Sequence, residues 1–235
     1  MSMDQDLHIG ALVFTDMDQI DFTGPFEVLS RLPGAKFHVM GKETKPIRDV
    51  MGLILTPETS IAEAPSLDLL VVSGGPGQEG LMEDEEVLAY IRAHVEAGRY
   101  LFSVCTGALI CGAAGVLRGR RATTHWGSLH LLRYFGAQAL DERVVVDGII
   151  ISAGGVTSGI DGALRVAALL RGDDVARKIQ LYMQYAPEPG FNSGHPKTAP
   201  AEIVEAARRE TLQLTQRREA TAMRHARRLG IVAAD

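Results

Sequence analysis

The chain of 235 residues has only two cysteines, Cys105 and Cys111, and a single tryptophan. Two cysteines make no disulfide framework, and neither a CxxC pair nor a Cys/His zinc spacing occurs. Separated by a turn and the start of a helix, they are also poorly placed to bridge each other. No basic segment followed by an apolar run opens the sequence, and no window approaches a membrane span. The expected location is therefore the cytoplasm, where a thiol stays reduced. Basic residues are not in excess: 24 Lys and Arg stand against 29 Asp and Glu, a formal net charge of −5. That balance argues against a nucleic-acid surface. The GK[ST] ending of a phosphate-binding loop is missing. Hydrophobic content of 46% and charged content of 23% describe an ordinary globular chain, one compact domain plus an extension.

Against these absences stands Tyr100-Leu101-Phe102-Ser103-Val104-Cys105-Thr106-Gly107-Ala108. An apolar run, read as a buried strand, stops at a cysteine, and a small-residue helix starts at once. This is the layout of a nucleophile elbow, a sharp strand-to-helix turn that lifts one side chain clear of a sheet. A thiol there faces unpaired helix N–H groups and the positive end of the helix dipole, which favour thiolate. The same N–H groups could receive negative charge developing on a substrate. The alternative is a buried, inert cysteine; Gly107 and the abrupt strand end favour the nucleophile.

Residues 7–14 read as a first strand, followed by a loop with Asp16, Asp18 and Asp21. Pro25 fits the first position of the next helix, with Thr23 or Gly24 as its cap. Asp16 and Asp18 read as solvated loop acids or caps, whereas Asp21, between Ile20 and Phe22, reads as partly buried with a partner. Residues 36–41 form a second strand and 46–57 a peripheral hairpin. Residues 68–73 are a continuous apolar strand of buried parallel type running into Gly74-Gly75-Pro76-Gly77. Asp84 caps a helix whose apolar face is Val87, Leu88, Ile91 and Val95.

Beyond the elbow, residues 121–126 are a short strand leading to a helix through Leu129, Leu132 and Phe135. His125 ends that strand and is the one obvious candidate for a cysteine partner. Asp147-Gly148 turns a hairpin between 142–146 and 149–152. The second of these strands ends in Ala153-Gly154-Gly155-Val156-Thr157, and helices follow over 163–170 and 173–185. Residues 187–200 are a loop, and 201–229 a helix whose arginines read as a solvated face. The alternation gives a mostly parallel α/β sheet covered on both faces. In such a sheet the loops after the strands converge on one edge. Asp21, Gly74, Gly75, Cys105, His125, Gly154 and Gly155 can therefore meet there.

Five stretches together carry a resemblance: Asp21-Phe22-Thr23-Gly24-Pro25, Ser73-Gly74-Gly75-Pro76-Gly77, Ser103-Val104-Cys105-Thr106-Gly107, Ala122-Thr123-Thr124-His125-Trp126 and Ala153 to Asp161. In this order they resemble the DJ-1/PfpI superfamily, and within it the branch that hydrates isocyanides. The resemblance implies a flavodoxin-like α/β sandwich over residues 1–190, with a helical extension over 191–235 packed on the core or on a dimer partner. It also implies a homodimer, no cofactor and no metal, with no nucleic-acid or membrane partner. The implied activity is addition of water to an isocyanide, giving an N-substituted formamide. Carried over, Cys105 is the nucleophile and Asp21 the acid beside it. Gly75 and Thr106 supply backbone N–H groups, Val156 packs near the thiol, and Gly74, Gly154 and Gly155 belong to the oxyanion and substrate cradle. Relatives with protease or deglycase activity usually carry His directly after the cysteine. Thr106 stands there instead, so the Asp21 pairing is the better reading.

Two other readings share these motifs. The Ser103 to Ala108 and Ala122 to Trp126 stretches are also similar to amidase-like sensor domains of AraC-type transcription regulators. Those carry a pair of helix-turn-helix units after the α/β domain, and the chain is expected to be too short for them. Glyoxalase or deglycase chemistry would use the same cysteine, and an exposed low-pKa thiol could also sense oxidants.

Overall fold

The computed structural model describes residues 5–232. Its centre is a seven-stranded sheet built on β1 (Leu7–Leu12), which is flanked by β2 (Ala35–Gly41) on one side. A two-residue hairpin, β3 (Ile47–Arg48) with β4 (Ile54–Leu55), lies apart from it, and β5 (Thr59–Ser60) closes that edge beyond β2. On the other side of β1 come β6 (Leu69–Val72) and β7 (Tyr100–Val104), both parallel to it. A small parallel pair, β8 (Arg121–Ala122) with β9 (Gln138–Ala139), is separate. The sheet ends with β11 (Ile150–Ala153), parallel to β7, and β10 (Val144–Asp147), the one antiparallel strand. Helices cover both faces, as a flavodoxin-like sandwich requires.

The central strands are the apolar runs of the sequence. All of β6 is buried, and so is β7 from Leu101 onward. Phe102 on β7 is fully buried, a burial that contributes roughly 1.5–3 kcal/mol and fixes the strand that delivers Cys105. The hairpin turn falls where Asp147 and Gly148 predict it: Asp147 pairs with Ile150, and Gly148 takes φ +64°.

Helix α1 (Gln19–Leu29) departs from the expectation built on Pro25. Asp18, not Thr23 or Gly24, is its cap, accepting the Ile20 N–H at 3.3 Å, and Pro25 lies inside the helix. The earlier start costs one internal hydrogen bond at Pro25, and it places Asp21 in the first turn instead of in the loop before it. A single turn, α2 (Gln78–Leu81), and α3 (Glu85–Glu96) follow β6. Asp84 caps α3 through the Val87 N–H, as the spacing predicts. The elbow leads into α4 (Gly107–Ala113), buried throughout. Residues Trp126–Phe135 form a 3₁₀ helix where an α-helix is expected. Gly127 near its start lowers α-helical preference, and Phe135 at its end packs over the bare Gly112.

Helices α5 (Ser158–Arg171) and α6 (Asp173–Tyr182) complete one face. Ala163, Val166, Ala167 and Leu170 form the buried stripe of α5. A long α7 (Ala201–Arg228) packs against the 3₁₀ segment, α2 and α4. Among the described residues no helix is long and apolar enough to cross a membrane.

Candidate active site

Cys105 follows directly on β7 and adopts φ +55°, a conformation that L-residues seldom take outside strained turns. Its N–H is held by the Ala153 carbonyl at 3.0 Å, and its carbonyl accepts the Thr124 hydroxyl at 2.7 Å. The elbow is thus fixed from two neighbouring strand ends. Gly107 lets α4 begin immediately, because a Cβ there would strike the Val72 carbonyl.

The Gly74–Gly75 turn lies against the same point. A Cβ on Gly74 would lie 2.5 Å from the Thr106 nitrogen and 2.9 Å from Asp21 Oδ2. Only a residue without a side chain permits that approach. The bare Gly74 N–H donates to Asp21 Oδ2 at 2.9 Å. Asp21 has no exposed surface, and its Oδ1 is buried without a hydrogen-bond partner.

Burial pushes the Asp21 carboxyl up to about 8, and the charge of Asp18 adds to the rise. The Gly74 N–H and the Cys105 thiol hold it back only in part. At neutral pH this carboxyl therefore carries a proton. Burial likewise raises the Cys105 thiol, and Asp21 adds to this; the Thr106 N–H and the Arg218 guanidinium oppose it. Desolvation thus works against the thiolate that the helix N–H groups favour, because a site closed to water penalises charge.

The expected N–H donors divide. The Thr106 N–H faces the sulfur. The Gly75 N–H does not face the cavity; it donates to Thr106 Oγ1 at 3.1 Å. The Gly74 N–H is taken by Asp21 and the Gly154 N–H by the Arg143 carbonyl at 3.0 Å. Gly155 and Val156 instead line a cavity of about 380 Å³ together with Thr124, His125, Arg143 and His195. Cys105 does not line that cavity; its carbonyl accepts the hydroxyl of Thr124, which does, and the residue is 6% exposed.

His125 belongs to the cavity wall, and no hydrogen bond joins it to Cys105. Its Nδ1 accepts the Gly127 N–H at 3.3 Å, capping the 3₁₀ segment. Burial, assisted by Arg218, lowers it to about 4, so the ring is neutral at physiological pH. Among the described residues no cluster of three His, Cys, Asp or Glu side chains is arranged to hold a metal ion.

One site residue escaped the sequence reading. Arg218 of α7 is 7% exposed and donates from Nη2 to the Gly75 carbonyl at 3.1 Å. The arginines of this helix were expected to be solvated throughout. Arg217 is, but Arg218 shares a face with Thr221, Ala222, His225 and Ala226, all buried. That i, i+3, i+4, i+7, i+8 spacing was the signal in the sequence.

Comparison with known proteins gives the same frame. An isonitrile hydratase from Pseudomonas putida is 47% identical over 203 residues, 86% of this chain and 89% of that one. A glutathione-independent glyoxalase from Caenorhabditis elegans is 24% identical over 161 residues, 68% of this chain and 86% of that one. The crystal structure of a ThiJ/PfpI family protein from Pseudomonas syringae superposes with a TM-score of 0.89 at 36% identity, covering 93% and 91% of the two chains. The DJ-1/PfpI family profile matches residues 8–169, the span from β1 to α5 that carries the elbow, Asp21 and the glycine turn, and this chain belongs to the DJ-1/PfpI family.

Proposed function

We propose that this protein is an isonitrile hydratase, converting an isocyanide and water into an N-substituted formamide. The observation that carries the reading is a strained, buried cysteine beside a fully buried carboxyl, Asp21, which burial drives towards its protonated form. The identity to the Pseudomonas putida enzyme over most of both chains supports the substrate class.

The chemistry follows from the two neutral groups. Asp21 gives its proton to the isocyanide carbon, which becomes open to attack, and takes the proton of the Cys105 thiol as sulfur bonds to that carbon. The product is a thioimidate with Asp21 protonated again. Water then adds to the same carbon; Asp21 protonates the nitrogen and receives the water proton. The tetrahedral adduct then collapses: its C–S bond breaks, Cys105 leaves as thiolate and takes the Asp21 proton, and the Asp21 carboxylate takes the hydroxyl proton as the formamide C=O forms. Dividing one hydration into two steps lowers each barrier, and a carboxyl with a raised pKa is suited to act first as acid. The Thr106 N–H steadies the sulfur when it is anionic.

The reading includes a homodimer in a reducing cytoplasm. Exposed Leu181, Tyr182, Phe191, Ile203 and Leu212 supply apolar surface for a partner, and both cysteines are free thiols. Sedimentation as a monomer at micromolar concentration would overturn the dimer. The function is tested by offering the purified protein an aryl isocyanide, methylglyoxal and a peptide, with products identified by mass. Formamide from the isocyanide alone is expected; lactate or a cleaved peptide without formamide would contradict the reading.

A further inference from the structure

A buried arginine normally has a carboxylate beside it, because an unpaired charge taken out of water costs several kcal/mol. Arg218 has none within ion-pair distance among the described residues. Glu79, the acid whose charge reaches Arg218, pairs with the neighbouring Arg217 at 3.1 Å. Arg218 is held by neutral groups only: Nη2 donates to the Gly75 carbonyl at 3.1 Å, and Nε faces the Gln78 amide, whose oxygen accepts at 2.8 Å when the amide is turned to present it. Both acceptors belong to the segment that begins at Gly74, whose N–H holds Asp21. The guanidinium also acts electrostatically on Cys105, and Cys105 on it. The anion that would complete this cation is the one formed in the reaction.

We propose that Arg218 is a positioning residue of the active site. Carried in by α7, its charge favours the Cys105 thiolate, and its two-pronged grip fixes the Gly74–Gly75 turn that orients Asp21. The C-terminal helix is then part of the reaction centre and not only a cover for the core. The turnover part of this inference rests on the hydratase reading; the charge part does not, because it concerns the thiol alone.

The test is the pH profile of Cys105 alkylation by iodoacetamide, read by mass spectrometry, alongside isocyanide turnover. Arg218→Gln should move the apparent thiol pKa up by about one unit or more, slowing alkylation about tenfold at pH below it, and turnover should fall at least as far. Arg218→Lys keeps the charge but cannot bond Gly75 and Gln78 together. It should alkylate within about half a unit of wild type, yet lose turnover. Arg217→Gln, exposed, should match wild type in both. A folded Arg218→Gln with the wild-type alkylation profile would overturn the inference. Should that variant fail to fold, a folded Arg218→Lys whose profile shifts by a unit or more would do the same. Absence of hydration in the wild type would refute the hydratase reading, while the alkylation profiles would still decide the role of Arg218.

Discussion

Cys105 and Cys111 lie on the same stretch of chain, both buried and both free, yet their surroundings differ in every other respect. Cys111 sits in the middle of α4 with regular helical geometry, and burial alone pushes its thiol up to about 12. Cys105 is also pushed up, but Asp21, the Thr106 N–H and Arg218 all act on it, and its backbone is strained. Burial therefore does not separate the two. In the proposed mechanism the difference lies in partners that can move a proton and steady a charge at the moment of attack, and the reactivity of Cys105 depends on Asp21 being ready to exchange protons with it.

Removing one side of this comparison should have the largest effect. Cys105→Ala is expected to lose isocyanide turnover by more than about 10³-fold, with a melting curve close to that of wild type. Next comes Asp21→Asn, which keeps shape and a hydrogen bond from Gly74 but cannot carry a proton. A loss on the order of 10²–10⁴-fold is expected.

The Asp21 substitution has a second signature, in stability. An ordinary aspartate titrates near 3.8, whereas folding raises Asp21 to about 8. Between these values the folded state holds a proton that the unfolded state has released, so stability falls as pH rises across that window. Asp21→Asn should remove this slope and melt higher than wild type at pH 8, while wild-type turnover declines above about pH 8 as the acid ionises. An unchanged slope in the variant would refute the raised carboxyl.

His125→Gln should cost less than about tenfold in turnover, because the proposed mechanism gives the proton transfers to Asp21 and His125 caps a 3₁₀ segment. Loss of hydration in this variant with near-wild-type Asp21→Asn would favour a Cys–His pair. The smallest effect is expected for Cys111→Ala: wild-type turnover, and a stability cost of about 1 kcal/mol for the lost packing.

Much of this was legible in the sequence, for local reasons. The elbow, the glycine turn after β6 and the hairpin at Gly148 each combine an apolar run with residues that only one backbone geometry suits. What escaped depended on tertiary context. Pro25 suggested a late helix start, but Asp18 was a competent cap further upstream, and a helix tolerates one proline when its first turn is well anchored. The resting state of Cys105 could not be read from a helix N-terminus, since the balance turned on how completely Asp21 and the thiol are closed off from water. Arg218 was hidden among arginines, although the small residues Ala222 and Ala226 marked the buried stripe to which it belongs.

The account stands most directly on the covalent step. Wild-type protein and Asp21→Asn, each mixed with a slow aryl isocyanide and quenched, should be examined by intact-protein and peptide mass spectrometry. The account predicts an adduct equal to the mass of the isocyanide on Cys105, transient in wild type, longer-lived in Asp21→Asn if attack survives, and never on Cys111. Formamide production by Cys105→Ala, with no adduct on the wild-type thiol, would contradict it.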